Sequence, residues 1–425
     1  MQKNLRTLLL LFTSNTISGA AQGITLLSIP FFLVSQIDNG KLLNARLVTI
    51  ITLVTLFWSL YAGTLIDRYN KKHIILSYQG VDALILLGIG AYGMFVEPLG
   101  FPLVAAVYTI TVMTLNVHYP NLYAFVQELF EPRYYAKVNS MLEVQNQFSR
   151  AIGMFVGGIL LEGSPEWLES AGITIEKWSM GEIFFLDGCT YALGMIAIGL
   201  IRYTPNLSKN ARDLGSVLKR LQLGFEYLSQ HRPLLIFGVA SYVMFFAALI
   251  TLQILMPVYV NDYLDESGHV LAMFNSVYAL GALVIGLVVF LAKRLNPLKQ
   301  IIFLLFLGGL LYATWAVTKS VSMVVIGAFV MGITNAGIRI LRITFLVQTV
   351  PNRVIGRTNS FFNVSNVLFR VSLSSMLTLS FFSDPENGDN IIYASAIIAA
   401  LLCVAGIVLL SQRKNILADQ EAIHE

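Results

Sequence analysis

Runs of about twenty apolar residues recur along the chain, each followed by a short polar stretch. A helix rises about 1.5 Å per residue, so such a run crosses a hydrocarbon core of about 30 Å. The pattern predicts twelve spanning helices, near residues 7–34, 44–66, 73–95, 101–127, 140–161, 180–201, 233–258, 269–292, 298–317, 321–348, 359–382 and 390–411. Pro30, Pro120 and Pro257 fall inside spans; neighbouring helices re-satisfy the backbone groups a proline frees. The first run follows Lys3 and Arg6 and continues to about Val34 with no cleavage site, so it reads as a span and not as a secretory signal. The longest polar connection, 202–232, divides the chain into six spans in 1–201 and six in 233–425. Within it, Val217 to Tyr227 has apolar residues at helical spacing opposite Lys219 and Arg220. That predicts a short amphipathic helix on the inner leaflet.

Polar residues break the apolar pattern twice in the same way. Residues 139–150 read "NSMLEVQNQFSR" and residues 359–370 read "NSFFNVSNVLFR". At about 100° per residue, Asn139, Glu143, Asn146 and Arg150 share one face of span 5. Asn359, Asn363, Asn366 and Arg370 fall at the same offsets on span 11. The flanks repeat too: "FVQELFEPRYYAKVNS" (125–140) aligns with "FLVQTVPNRVIGRTNS" (345–360), and "LSIPFFL" (27–33) with "ILMPVYV" (254–260). A second pair of stripes sets Thr114, His118 and Asn121 of span 4 against Asn335, Arg339 and Arg342 of span 10, and span 1 adds Asn15, Ser18 and Gln22 on one face. An arginine at mid-membrane depth costs roughly 2.5–3.5 kcal/mol. Arg150, Arg339, Arg342 and Arg370 are therefore expected to face a wet cavity or acidic partners, and not lipid.

Composition agrees with lipid as the solvent. Of 425 residues, 56% are hydrophobic and 12% charged, against roughly 25% charged in soluble domains. Twenty Lys and Arg lie in one set of alternate loops and four (Lys41, Arg46, Lys177 and Lys319) in the other. That asymmetry places both termini in the cytoplasm, which requires an even number of spans. The net charge of +4 comes from loops and does not imply nucleic acid. Cys189 and Cys403 sit in different apolar runs and read as small buried hydrophobes, with neither a disulfide framework nor metal spacing. No nucleophile–base pair, metal cluster or phosphate loop is present, so neither an enzyme nor a cofactor is expected.

The loop after span 2, "GTLIDRYNKK" (63–72), resembles the loop motif of the major facilitator superfamily. The resemblance implies an all-α membrane fold of twelve helices in two pseudo-symmetric six-helix halves, with helices 1, 4, 7 and 10 lining a central cavity. It also implies secondary active transport by alternating access. By match, Gly63 lets helices pack closely, Asp67 is the gating acid, and Arg68, Lys71 and Lys72 carry the inside charge. "VPNRVIGRTNS" (350–360) and "IGMFVGGIL" (152–160) resemble the macrolide-efflux and enterobactin-exporter branch, which implies an exporter of the inner (plasma) membrane. In the second repeat the corresponding loop, "LAKRLNPLKQ", has no Asp-Arg pair.

The expected substrate-binding set is Asn15, Gln22, His118, Asn121, Asn146, Arg150, Arg339, Arg342, Asn366 and Arg370. Guanidinium forks suit carboxylates and phosphates, so the expected substrate is an anion such as a polycarboxylate or siderophore. Glu143 is the acid on those stripes and the first choice for coupling to protons, whereas Asp82 and Asp187 lie on outer helices and read as packing residues. The alternatives are efflux of amphipathic drugs, and a non-transporting receptor or lipid-handling protein on the same scaffold. The expected partners are the bilayer and a small-molecule substrate, and the chain is expected to act as a monomer.

Overall fold

A computed structural model describes residues 2–131, 135–202, 217–291, 296–383 and 390–424. Every regular element among them is helical. Twelve helices are long: α1 Gln2–Gln36, α2 Gly40–Arg68, α3 Lys71–Gly93, α4 Phe101–Leu129, α5 Tyr135–Glu162, α6 Met180–Gly199, α7 Arg232–Tyr263, α8 Gly268–Leu291, α9 Pro297–Trp315, α10 Val321–Thr349, α11 Asn352–Met376 and α12 Ile391–Ser411. Each falls on one of the twelve expected spans. Shorter helices are Glu166–Ser170, Val217–Gln230, Ser380–Ser383 and Arg413–His424.

Among the described residues, ten of the twelve long helices are apolar enough to cross a membrane by composition alone. The two that are not, α5 and α11, are the pair carrying the repeated polar stripe. Their polar residues are incompatible with lipid on every side, so these helices depend on protein neighbours.

The α7 helix is irregular for an identifiable reason. Its backbone widens into π turns at Thr251–Leu255 and Tyr259–Tyr263, on either side of Pro257. Proline has no N–H to donate to the carbonyl four residues earlier, which here belongs to Gln253. Asn44 Nδ2 supplies that bond instead, at 2.9 Å.

The chain forms two compact units. The first comprises Met1–Gly40, Leu53–Arg212 and Glu266–Ser276, the second Lys41–Thr52, Asp213–Asp265 and Val277–Glu425. Helices α2 and α8 are thus divided. The start of α2 belongs with the second unit through the Lys41–Asp262 ion pair at 2.6 Å, the Asn44 bond and a Thr49–Ser374 hydroxyl bond at 2.8 Å. The start of α8 belongs with the first, where Ala272 lies against Gly158 of α5.

In the first unit α3 runs along α6, and α1 along both α5 and α6. The α1–α5 contact is a backbone-to-backbone approach. A Cβ on Gly153 would overlap the Ala20 carbonyl, one on Gly23 would lie 2.5 Å from the Arg150 carbonyl, and one on Gly157 would lie 3.0 Å from Ile24 Cα. Gly153 and Gly157 of "IGMFVGGIL" are therefore the α1-facing edge of α5, and small residues of this kind are how membrane helices come close.

In the second unit α9 packs against α10 and α12. The Val217–Gln230 helix lies on α11, with Gly224 against the Arg357 carbonyl, the Phe225 and Phe361 rings 5.6 Å apart, and Leu228 fully buried. The sequence pattern places this helix on lipid headgroups; the structure gives part of its apolar face a protein partner, α11. His231 Nδ1 pairs with Asp419 Oδ1 at 3.0 Å and ties the start of α7 to the C-terminal helix.

Replacing Gly153 with Val should force α1 and α5 apart. Overpacking of this kind costs about 1–3 kcal/mol, so the purified variant should show a lower melting temperature or a reduced folded yield on gel filtration. A variant as stable as the parent would contradict the close approach.

Candidate functional site

Asn15 is the hub of the polar network in the first unit. It is buried on α1 and bonds two neighbouring helices, α4 and α5. Its amide nitrogen donates to Asn146 Oδ1 of α5, in a short contact, and to Gln145 Oε1 at 3.2 Å. Its amide oxygen meets His118 Nε2 of α4 at 2.9 Å. The other ring nitrogen of His118 meets the Tyr78 hydroxyl of α3 at 2.6 Å. Donation from Nε2–H to Asn15 and from Tyr78 to Nδ1 satisfies all three groups. The one-sided stripe at residues 15, 18 and 22 puts Asn15 where α4 and α5 can both reach it.

Arg150 lies half-buried one turn beyond Asn146. Its Nη2 donates to the Tyr119 hydroxyl at 2.7 Å, and its guanidinium lies 5.6 Å from that ring's centroid. Among the described residues it forms no ion pair. Gln22 donates to the Tyr191 hydroxyl of α6 at 2.9 Å, and Asn121 to the Lys71 carbonyl at 2.9 Å. The structure thus brings Asn15, His118 and Asn146 into one network, while Gln22 and Asn121 fasten neighbouring helices. The Asn146 Nδ2 and Asn121 Oδ1 atoms have no hydrogen-bond partner among the described residues.

The loop after α2 is built from caps. Asn70 accepts from the backbone of Lys72 at 2.9 Å and of His73 at 3.3 Å, which starts α3. Lys71 pairs with Glu128 at 3.1 Å. Lys72 Nζ donates to the Gly199 and Ile201 carbonyls, both at 2.8 Å, and closes the end of α6. A cation at a helix C-terminus also complements the helix dipole. Arg68 is exposed at the end of α2. Gly63 and the side chains of Asp67, Asn139 and Glu143 lie outside the described residues.

In the second unit Arg342 of α10 is buried, with its guanidinium carbon 3.5 Å from the centroid of the Tyr242 ring of α7 and Nη1 donating to the Ser241 carbonyl at 3.3 Å. The Tyr242 hydroxyl in turn donates to Asn363 Oδ1 of α11 at 3.0 Å. The stripes of α10 and α11 therefore meet on one tyrosine of α7. Arg339 is half-buried one turn from Arg342 and, like it, forms no ion pair among the described residues. Asn335 donates to the Tyr278 hydroxyl of α8 at 2.7 Å. Asn366 is buried, and its Oδ1 has no partner among the described residues. Arg370 is half-buried on α11.

The residues that sequence reasoning did not single out are the tyrosines. Tyr78, Tyr119, Tyr242 and Tyr278 each receive or orient a stripe residue. Only Tyr119, next to His118, stood beside a noticed position; the other three look like ordinary apolar residues in one dimension.

Twelve long helices with polar stripes held inside two helical units define a multi-pass membrane transporter. The Major Facilitator Superfamily profile matches residues 11–371, and the chain belongs to that family; its chemistry is transport and not enzymatic turnover. A search by sequence among curated proteins found no match. The fold is similar to that of a mutant of the nucleoside transporter NupG (TM-score 0.73, 13% identity, covering 96% of this chain and 99% of that one). It is also similar to a D-xylose-proton symporter (TM-score 0.68, 12% identity, 95% and 97% covered). A mutant peptide transporter of the POT family in complex with sulfate gives a TM-score of 0.66 at 17% identity, with 96% and 94% covered. At these identities the likeness is one of fold.

The Arg342–Tyr242 stack separates two effects. Tyr242→Leu removes the ring face as well as the bond to Asn363, so about 0.5–2 kcal/mol is added to the cost of losing that bond. Tyr242→Phe keeps the face and loses only the bond to Asn363, and should cost about 0.5–1.5 kcal/mol. Thermal denaturation of the purified variants checks the order; Tyr242→Phe as damaging as Tyr242→Leu would contradict a role for the ring face.

Proposed function

We propose that this chain is a secondary active transporter that exports a small anionic molecule, such as a polycarboxylate or siderophore, across the inner (plasma) membrane by alternating access. The observation that carries the reading is the state of the intramembrane guanidinium groups. Arg150, Arg339 and Arg342 are half-buried or buried and form no ion pair with a carboxylate among the described residues; Arg150 is met by Tyr119, and Arg342 by Tyr242 and the Ser241 carbonyl. A structural arginine in lipid would be expected to bury its charge against an acid; an arginine with neutral supports keeps its charge for a ligand.

Two further facts support it. The Asn146 Nδ2 and Asn366 Oδ1 atoms, at corresponding positions of the two repeats, are buried with hydrogen-bonding capacity unused among the described residues. The stripes also occur once in each repeat, and internal repeats of this kind are how many transporters are built. In this reading Arg150, Arg370, Arg339 and Arg342 bind the anion. Asn15, Gln22, His118, Asn121, Asn146 and Asn366 position it or its supports. Gly63, Asp67 and Arg68 serve the gate, and Glu143 carries the coupling proton. Both termini lie in the cytoplasm, following the 20:4 distribution of cations.

The second reading is efflux of amphipathic drugs, favoured by the resemblance of "VPNRVIGRTNS" and "IGMFVGGIL" to macrolide exporters.

A ligand that binds only the folded state raises its stability by about 2.7 kcal/mol at a hundredfold excess over its Kd. Thermal-shift measurements on the purified protein should therefore show stabilisation by polycarboxylates and not by lipophilic cations. Arg150→Gln and Arg370→Gln should each abolish that shift while remaining folded. Stabilisation by lipophilic cations alone, or retention of the anion response in both variants, would decide for the drug reading.

A further inference from the structure

The first unit holds a cavity that is lined by no stripe residue. It measures about 450 Å³ and lies where α1 and α5 end and α6 begins, beside the loop between α3 and α4. All of its lining belongs to that unit. Its floor is apolar: Phe31 and Phe32 of α1, Leu99 of the loop and Met180 of α6 are buried. Its rim is polar and reaches solvent, with Glu97 and Lys177 both exposed. Pockets of roughly 300–1,000 Å³ hold drug-sized groups, a size class that includes one lipid headgroup.

The rim is held in place by backbone bonds. Trp178 N donates to the Leu160 carbonyl at 2.7 Å and Ser164 N to the Ile175 carbonyl at 2.9 Å, which stitches the segment carrying Lys177 to the end of α5. Ser179 then caps α6: its hydroxyl accepts from Glu182 N at 3.1 Å, and the Glu182 carboxylate accepts from Ser179 N at 2.7 Å. Lys177 Nζ lies 3.1 Å from Glu162 Oε2, while Glu162 Oε1 turns to the Gly268 N–H at a long 3.5 Å. Glu162 is thus shared between two donors, whereas Glu97 has no ion pair among the described residues. An ammonium has three N–H donors, so Lys177 can serve Glu162 and still meet an anion. The rim therefore offers one cation with donors to spare and one uncompensated carboxylate.

The two loops that carry these charges also carry apolar tips. Beside Glu97, Met94, Phe95 and Val96 are exposed, Phe95 by 89%. In the Lys177 loop Trp167 and Ile173 are exposed, and the Trp167 ring stacks on Phe155 of α5 with centroids 6.4 Å apart. Aromatic and apolar tips at the ends of spanning helices sit at the headgroup level of a bilayer, so the rim charges stand there too. We propose that the cavity holds one membrane phospholipid whose headgroup carries both a phosphate and a primary ammonium. Lys177 meets the phosphate, Glu97 accepts from the ammonium, and the glycerol end lies on the floor formed by Phe31 and Phe32. Charge decides between lipids. An anionic headgroup without an ammonium would set a second negative charge against Glu97, and a quaternary ammonium has no N–H to give a carboxylate. This site is separate from the arginine stripes and does not depend on the transport reading.

The test reads lipid binding and no transport. Protein stripped of lipid by detergent exchange is mixed with phosphatidylethanolamine, phosphatidylcholine or phosphatidylglycerol at equal concentration, and bound lipid is counted by native mass spectrometry. Wild type should retain one phosphatidylethanolamine more than it retains of either other lipid; equal retention of the three overturns the proposal, and this comparison needs no variant to fold. Glu97→Gln and Lys177→Gln, both at exposed positions, should each lose that one phosphatidylethanolamine, and an unchanged count in both overturns the proposal. Glu97→Lys should turn the preference toward phosphatidylglycerol. Soluble phosphoethanolamine is added in a last arm. If it displaces the lipid at equal concentration, the cavity belongs to a free solute and the lipid is wrong.

Discussion

A polar group inside a bilayer has no water to fall back on, so each must find its partner within the protein. That constraint organises the whole chain. It accounts for Asn44 bonding the carbonyl that Pro257 leaves free, for Lys72 closing the end of α6, and for the knot of amides and imidazole around Asn15. None of these contacts needs to be strong in itself. Each is retained because the alternative, an unsatisfied group in hydrocarbon, costs several kcal/mol.

The two units meet the constraint in different ways. In the first, the stripe residues largely satisfy one another, amide to amide and amide to imidazole. In the second, charge is spread onto aromatic faces, with Arg342 lying on Tyr242. A tyrosine supports a guanidinium without neutralising it, whereas a carboxylate would cancel the charge that an anionic ligand needs. The repeated sequence has thus kept the positions of its polar residues while the chemistry at those positions diverged: His118 corresponds to Arg339, and Glu143 to Asn363.

The twelve helices could be read directly from the sequence, because hydrophobic period and length are properties of single segments. The candidate stripes were visible for the same reason: Asn146 and Arg150 share a helical face by arithmetic. What lies opposite a stripe is a property of two segments, and no pattern in one of them reveals it. Tyr119 and Tyr242 were therefore invisible as arginine supports. The linker helix shows the same limit: its amphipathic pattern specified an apolar face and could not specify that α11 covers part of it.

The polarity of α5 and α11 has a consequence for how the chain is made. A segment emerging from the ribosome partitions into lipid according to its own hydropathy, and these two would do so poorly by themselves. The glycine edge of α5 and the amide groups of both become tolerable only once earlier segments wait beside the insertion channel, α1 for α5 and α7 for α11. Biogenesis of each repeat is thereby made to proceed in order, with the first helix held ready as a chaperone for the fifth.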